Sequence, residues 1–166
     1  MRELILESYD GDIELENKLM NEQYDDYLIG TCNVCGYETH PAYDFNELIN
    51  FIIKENKLTE TEAFQYFNIN ILDKNEYVAF IKYTNETVDE ISEYNSAMLF
   101  MDGLDSALVG FKIQKDHEMT SVYDQNKCID ALMEQDMEYE DAMEYFDYNI
   151  LGAYVGIHTP AILTTF

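Results

Sequence analysis

The sequence predicts an α+β protein built as a tandem duplication of one small module, in the order strand, β-hairpin, two helices, strand. Three observations carry this prediction. The chain matches itself at an offset of 80 residues and, further on, at 79. Apolar residues recur with helical spacing behind capping patterns, and β-branched or aromatic runs lie on either side of them.

The internal match keeps one order along the chain, with gaps only at expected turns. At an offset of 80 the identical pairs are Leu19 and Leu99, Asp25 and Asp105, Leu28 and Leu108, Gly30 and Gly110, Tyr43 and Tyr123, Asp44 and Asp124, Asn46 and Asn126, and Ile49 and Ile129. At an offset of 79 they are Ala63 and Ala142, Tyr66 and Tyr145, Phe67 and Phe146, Asn70 and Asn149, Ile71 and Ile150, and Leu72 and Leu151. After a further gap, Tyr77 and Val78 match Tyr154 and Val155.

This match divides the chain into four segments. They are an N-terminal extension (1–16), a first module (17–83), an acidic connector (84–96) and a second module (97–166). Modules of this size have thin cores, so we expect them to pack on each other, either sharing one sheet or lying back to back.

The first half carries local signals for each element. Asp44 with Glu47, and Thr59 with Glu62, fit capping boxes that start two helices. We place a turn at 10–12 and a hairpin turn at 33–36. The predicted strands are 4–6, 27–32, 37–43 and 77–83.

The second half repeats these signals. Asp124 caps one helix, and a second helix covers about 139–148. The connector is either a short acidic helix or a solvated linker. The predicted strands are 97–101, 107–113, 120–123, 152–156 and 162–166.

Charge is the strongest feature of the composition. The 34 acidic and 9 basic residues give a net charge of −25. Residues 1–83 contain 17 acids and 6 bases (−11), and residues 84–166 contain 17 acids and 3 bases (−14). Such a surface repels phosphate backbones, which argues against direct nucleic-acid binding, and it attracts a basic partner.

Compartment and membrane signals point to the cytoplasm. The sequence shows no secretory signal, transit peptide or long apolar run, so we expect no membrane association. Three cysteines argue against a disulfide framework and favour a reducing cytoplasm.

Cys32-x-x-Cys35 followed by His40 is half of a zinc-binding pattern. Structural zinc needs four ligands, and the chain has no second pair at suitable spacing. The matching positions in the second half are Lys112 and Lys115. We therefore favour two reduced thiols over a metal site, and we predict no cofactor.

Other candidate residues have plainer structural explanations. The repeated Asp44 and Asp124 are either paired catalytic carboxylates or helix N-caps, and the apolar-periodic run after each favours caps. Asn70 and Asn149 fit left-handed helix ends, with a buried structural amide or a ligand-binding amide as alternatives. No nucleophile, phosphate-loop or zincin pattern occurs, so we do not expect an enzyme.

One acidic run stands apart, because no lysine or arginine lies within it. It comprises Glu134, Asp136, Glu138, Glu140, Asp141, Glu144 and Asp147. It is either a solvated helix face or a binding surface whose carboxylates imitate a row of phosphates. Tyrosines among the acids would add contact area for a protein partner.

The second half also resembles a family of short uncharacterised proteins of tailed bacteriophages over about 101–163. The resemblance rests on Asp102-Gly-Leu-Asp, Val122-Tyr-Asp, Met137-Glu-Tyr-Glu-Asp-Ala, Asn149-Ile-Leu-Gly-Ala-Tyr-Val-Gly and Thr159-Pro. It implies a phage or prophage origin and no catalytic residues. The first half departs from this pattern, with Lys74-Asn75-Glu76 where the glycine after the second helix is expected. In size and charge alone, the chain is also similar to the DNA-mimicking antirestriction proteins.

These observations predict a phage-encoded acidic protein that binds a basic, nucleic-acid-binding host protein in the bacterial cytoplasm and inhibits it. Defence nucleases, restriction complexes and the transcription machinery are the expected targets. Two alternatives remain open: a small ligand-binding or enzymatic module with a pocket near the predicted 152–156 strand, and a structural or assembly protein. Further pairing into a homodimer is also left open.

Overall fold

Six strands form one closed barrel in the computed structural model, which describes residues 1–9, 13–34, 38–113 and 119–166. The strands are Leu28–Val34 (β1), Glu38–Asp44 (β2), Ala79–Tyr83 (β3), Leu108–Ile113 (β4), Met119–Asp124 (β5) and Ala161–Thr165 (β6). Both halves of the chain therefore contribute to a single sheet. The α+β fold class is confirmed.

The helices lie outside the barrel strands. They are Arg2–Ser8 (α1), Ile13–Lys18 (α2), Phe45–Asn56 (α3), Glu60–Asn70 (α4), Val88–Tyr94 (α5), Gln125–Met133 (α6) and Tyr139–Tyr145 (α7). Short 3-10 helices cover Glu22–Tyr27, Leu72–Lys74 and Asp105–Ala107, and a π-helical turn covers Phe146–Leu151. None of the helices in the described ranges has the length and apolar character that crossing a bilayer requires.

Strand directions and register follow the same scheme in both halves. β1 pairs antiparallel with β2, which pairs parallel with β3; β4, β5 and β6 pair in the same way. Two antiparallel contacts, β3 with β4 and β1 with β6, close the barrel. The first hairpin shifts register between Leu28 and Gly30, and the second shifts between Leu108 and Gly110.

The core has an inner part, two large outer parts and a small third outer part around Ile91 of α5. The inner cluster takes small or branched side chains from every strand: Cys32, Ala42, Ala79, Ile81, Val109, Val122, Ala161 and Leu163. One outer cluster packs α3 and α4 on the first half, and the other packs α6 and α7 on the second half. Small inner residues suit the narrow interior of a closed six-stranded barrel.

The helix starts predicted at Asp44, Thr59 and Asp124 are confirmed, but Asp44 and Glu47 form only an N-cap and not the complete capping box that was predicted. Asp44 accepts a hydrogen bond from the Glu47 N–H at 3.0 Å, and Asp124 accepts one from the Lys127 N–H at 3.0 Å. Thr59 and Glu62 form a complete capping box. The connector contains helix α5, which has its own capping box at Thr87.

The strand predicted at 4–6 is wrong, because these residues lie in helix α1. Leu4 is exposed and Ile5 is fully buried, as expected for a helix that packs on one face. Arg2 fixes the start of the helix by hydrogen bonds to the Asp25 carboxylate and the Met20 carbonyl.

The strand predicted at 97–101 is also wrong. Side chains of β5 hold this segment in place of a backbone ladder. The Ser121 hydroxyl donates to the Leu99 carbonyl at 2.6 Å, and the Met101 N–H donates to the Tyr123 hydroxyl at 3.0 Å.

The strand predicted at 152–156 is replaced by irregular backbone that follows the π-helical turn. The Val155 N–H donates to the Thr159 hydroxyl at 3.0 Å, so a local turn satisfies it. Each half of the described chain therefore has a hairpin, two helices and one strand in this order, without the leading strand that was predicted. The turn predicted at 10–12 lies outside the described residues, and β1 continues through 33–34, where the hairpin turn was expected to begin.

Each half has one buried tyrosine whose hydroxyl accepts a hydrogen bond from a backbone N–H, and removing this hydroxyl should destabilise the fold. The Met20 N–H donates to the Tyr43 hydroxyl at 3.0 Å, as the Met101 N–H does to Tyr123. We expect Tyr43→Phe and Tyr123→Phe each to lower the free energy of unfolding by about 1–3 kcal/mol, because each leaves a backbone N–H unpaired. Urea denaturation measures the change.

The same tyrosines predict a pH dependence. Burial, chiefly, raises the pKa of both Tyr43 and Tyr123 to about 12. A phenol in the unfolded chain titrates near pH 10, so the neutral form stabilises the fold fully below about pH 10. This stabilisation is lost as the pH rises towards about 12. A double Phe variant that shows the same alkaline loss as wild type would contradict this assignment.

Candidate functional site

The acidic face is the surface formed by the seven residues of the predicted acidic run. Glu134 and Asp136 lie in the connection after α6, Glu138 is the N-cap of α7, and the others lie on α7 or in the π-helical turn. All seven are exposed: Glu134, Asp136, Glu138, Glu140, Asp141, Glu144 and Asp147.

Local structure explains why these side chains point outward. Ala142 and Phe146 are fully buried and fix the inner side of α7 and the turn that follows. The connection bends at Asp136, whose φ of 68° is left-handed. A helix held by one narrow apolar side must turn its remaining positions to solvent, which here places carboxylates there.

The negative charge of the acidic face is not compensated nearby. Residues 128–166 contain eight acids and no lysine or arginine. Within the described residues, the ion pairs are Arg2 with Asp25 and His40 with Glu38, neither on this face. Neighbouring residues in the sequence therefore supply no lysine or arginine to this face.

Most acids of the acidic face are absent from the first half, although Glu62 matches Asp141. At the matching positions of α4, the first half has Thr61, Gln65 and Asn68 where the second has Glu140, Glu144 and Asp147. These uncharged residues occupy the same helical positions, so packing does not require acids there.

Exposed aromatic rings lie among the carboxylates. Tyr139, Tyr145 and Tyr148 are all exposed, and Tyr148 is 84% accessible. Tyr145 and Tyr148 line one surface depression together with Asp141 and Glu144, and exposed aromatic rings grouped in this way are typical of protein interfaces.

A groove opens beside the acidic face, with a volume of about 470 Å³. Its lining is mostly apolar and includes Leu99, Met137, Tyr145, Ile150 and Val155. The sequence analysis placed a pocket near 152–156, and Val155 of this segment lines the groove, although the segment is not a strand. The sequence did not indicate the other walls, because they depend on which residues cover the outer cluster.

The predicted metal candidate does not assemble within the described residues. Cys32 is fully buried inside the barrel, where burial raises the pKa of its thiol to about 12. His40 is buried and bonds Glu38 at 3.2 Å, and burial lowers its pKa. Cys35 lies outside the described residues. Zinc binds thiolates, so a buried, protonated Cys32 is a poor ligand.

A second, smaller cavity lies at one end of the barrel, with a volume of about 270 Å³. His40, Asp73, Glu76 and Lys112 line it. Lys112 is buried and takes the position that Cys32 has in the first half. Its positive charge helps to lower the pKa of His40, after burial. The sequence did not indicate this cluster, since a lysine inside a barrel breaks the usual pattern.

The expectation of left-handed helix ends at Asn70 and Asn149 is wrong. Both amides instead donate to the carbonyl four residues earlier, those of Tyr66 and Tyr145. Lys57, with φ of 54°, takes the left-handed position after α3, as Asp136 does after α6. Asn149 lines the groove.

Comparison with known proteins adds nothing to this geometry. The chain matches no protein-family model, no curated protein and no solved structure.

Proposed function

We propose that the chain is a phage-encoded acidic interaction protein that binds the basic surface of a nucleic-acid-binding host protein and inhibits it. The observation that carries this proposal is the acidic face: seven exposed carboxylates in the described structure, with no lysine or arginine in residues 128–166. The expected site of action is the host bacterial cytoplasm, and the expected targets are defence nucleases, restriction complexes or the transcription machinery.

The energetics of α7 support a binding role. Glu140 and Glu144 are one helical turn apart, and like charges at this spacing destabilise a helix by about 0.2–0.5 kcal/mol. Lysines interspersed on the helix would remove this repulsion, and the first half avoids it with Thr61 and Gln65. Carboxylates held on one face attract the Lys and Arg side chains that otherwise contact DNA phosphates.

A basic partner fits the acidic face better than a second copy of the chain. A homodimer through this face would bring carboxylates against carboxylates, which repel. The exposed tyrosines give a partner apolar contact area between the charges.

A small-ligand function is less well supported by the groove. Ligand pockets carry a few convergent polar groups that orient the ligand. The amides of Gln135 and Asn149 donate instead to carbonyls of the chain, at Gly103, Ala131 and Tyr145. We therefore favour a protein partner.

We further propose that the chain arose by tandem duplication of the module. The shared pairing scheme supports this origin: Tyr43 pairs with Phe80 as Tyr123 pairs with Ile162, and Gly30 pairs with Thr165 as Gly110 pairs with Tyr83. Matching positions of the two halves thus pair with matching strands. After duplication, only the second half acquired the acidic face.

Affinity capture from a bacterial lysate tests the proposed function. We expect the wild-type chain to retain a nucleic-acid-binding protein, and we expect duplex DNA to compete for it. We call the combination of Glu140→Thr, Glu144→Gln and Asp147→Asn the neutral variant, because it replaces these three acids by uncharged residues. Each new residue is the one at the matching position of the first half, so the variant should fold normally. It should capture at least about tenfold less, equivalent to about 1.4 kcal/mol.

A charge-matched control isolates the acidic face from net charge. This control combines Glu7→Gln, Glu55→Gln and Glu93→Gln, which are exposed positions elsewhere on the molecule. It should capture as wild type does. Equal capture by the neutral variant and wild type, or capture that DNA does not compete, would contradict the proposed function.

A further inference from the structure

The groove beside the acidic face has a covered counterpart in the first half. There, α1 and α2 lie against the segments that match the groove walls. Arg2 of α1 bonds the carbonyl of Met20, which matches Phe100 on the groove wall. Residues 14, 17 and 18 of α2 line a shared cavity with 74–78, the segment that matches the end of the groove.

The apolar side chains of these helices fill the first half's outer cluster. Ile5 and Leu15 are almost completely buried and belong to the same cluster as Met20, Ile71 and Val78. α2 and α1 thus complete the core at this place. Burying apolar side chains of this size stabilises the fold.

The second half has no such cover among its described residues. Val78 is 7% accessible, whereas the matching Val155 is 67% accessible and lines the groove. Helix α5 packs its Ile91 with Met98 and Phe111, and this cluster also contacts Phe100 of the groove wall, but Val155 stays exposed. The groove is therefore exposed, whereas helices of the same chain cover the matching surface of the first half.

The acidic residues around the groove favour a positively charged ligand. Asp102 lines it, and Asp141 and Glu144 lie beside its Tyr145 wall. In the first half the occupying helix brings Lys18, whose amine lies 5.6 Å from the centre of the Tyr77 ring. The matching ring, Tyr154, is exposed and can receive a cation in the same way.

We propose that this groove binds an amphipathic, basic helix of the partner protein, with apolar side chains against Leu99, Ile150 and Val155 and cations toward the acidic face. This inference rests on the proposed function for the positive charge of the partner, but its apolar contacts are a separate claim. The chain's own N-terminal helices are a poor occupant for a second copy's groove, because they carry Glu3, Glu7, Glu14 and Glu16.

Two synthetic peptides test the inference with the full chain. One is an amphipathic helix of about 14 Leu and Lys residues, about four turns, and the other is its scrambled version with equal charge. We expect the amphipathic peptide to bind at least about tenfold more tightly in fluorescence anisotropy. Equal binding of the two peptides, or no measurable binding of the amphipathic one, would overturn the inference.

A pair of matched variants separates apolar contact from charge. Val155→Glu adds a negative charge inside the groove, and Ile157→Glu adds one at an exposed site that does not line it. If the groove binds the helix, Val155→Glu weakens binding of the amphipathic peptide about tenfold despite its added charge, and Ile157→Glu does not. If charge alone matters, both variants bind as tightly as wild type or more tightly, and the groove inference fails.

The neutral variant distinguishes failure of the groove from failure of the proposed function. If both peptides bind equally and the neutral variant weakens both, the groove inference is wrong while the acidic face still binds cations. If Val155→Glu weakens binding of the amphipathic peptide and the neutral variant does not, the groove stands and the charge-based function fails.

Discussion

Alanine at position 110 is expected to lower the free energy of unfolding by about 3 kcal/mol, at the upper end of the usual range for overpacking. Gly110 lies in β4 where this strand pairs with β3, and the register of the second hairpin shifts at this position. A methyl group there would overlap the carbonyl oxygen of Lys82 and lie 2.9 Å from the Cα of Tyr83. Both atoms belong to backbone, so relief requires that the strands move apart where the barrel closes.

Gly30→Ala should have an effect of similar size. Its added methyl would overlap the Thr164 carbonyl where β1 pairs with β6. Gly152→Ala is the control. Its methyl would have ordinary contacts, the nearest at 3.6 Å, so stability should stay the same or rise by up to about 1 kcal/mol. Urea denaturation of the three variants gives the comparison. Equal midpoints for Gly110→Ala and Gly152→Ala would show that the strands do not approach as described.

Phe80→Ala should lower the free energy of unfolding by about 3–5 kcal/mol, a large part of the stability of a small domain. Phe80 is fully buried between the barrel and α4. Its ring centre lies 4.9 Å from that of Phe67 in an edge-to-face contact and 6.4 Å from that of Tyr43. Removing the ring leaves a cavity that the fixed strand β3 cannot close.

Phe64→Ala is the matched control in the same cluster of rings. Phe64 stacks on Phe45 at 5.9 Å but is 37% exposed, so its loss should lower stability by roughly 1 kcal/mol. Thermal and urea unfolding, followed by far-UV circular dichroism, measure both variants. A Phe80→Ala variant no less stable than Phe64→Ala would contradict the packing of α4 on the barrel.

Local sequence patterns predicted the parts of the fold that depend on neighbouring residues. The caps at Asp44, Thr59 and Asp124 and the two hairpins formed as expected, because a cap or hairpin is decided within a few residues. The barrel could not be predicted in this way. Its parallel pairing of Ala42 with Ala79, and the closing pairing of Gly30 with Thr165, join residues far apart in sequence.

Two of the three wrong strand predictions share a physical cause. The apolar runs at 4–6 and 97–101 lie beside the barrel without joining its ladder, so apolar character alone did not decide their conformation. For the candidate site, the exposure of Glu140 and Glu144 follows from the helical spacing of the apolar residues Ala142 and Phe146, a pattern visible in the sequence. The sequence could not show that the groove is exposed. Its exposure depends on two tertiary features: α2 covers the matching surface of the first half, and no described residue covers Val155.

The most direct test of the acidic face is the salt dependence of affinity for the captured partner. We would measure dissociation constants for wild type, the neutral variant and the charge-matched control, from about 0.1 M salt, where the Debye length is about 10 Å, to about 1 M, where it is about 3 Å. We predict that the neutral variant binds more weakly at low salt and has a shallower salt dependence, while the control behaves as wild type. Identical curves for all three proteins would show that the carboxylates of α7 do not contact the partner.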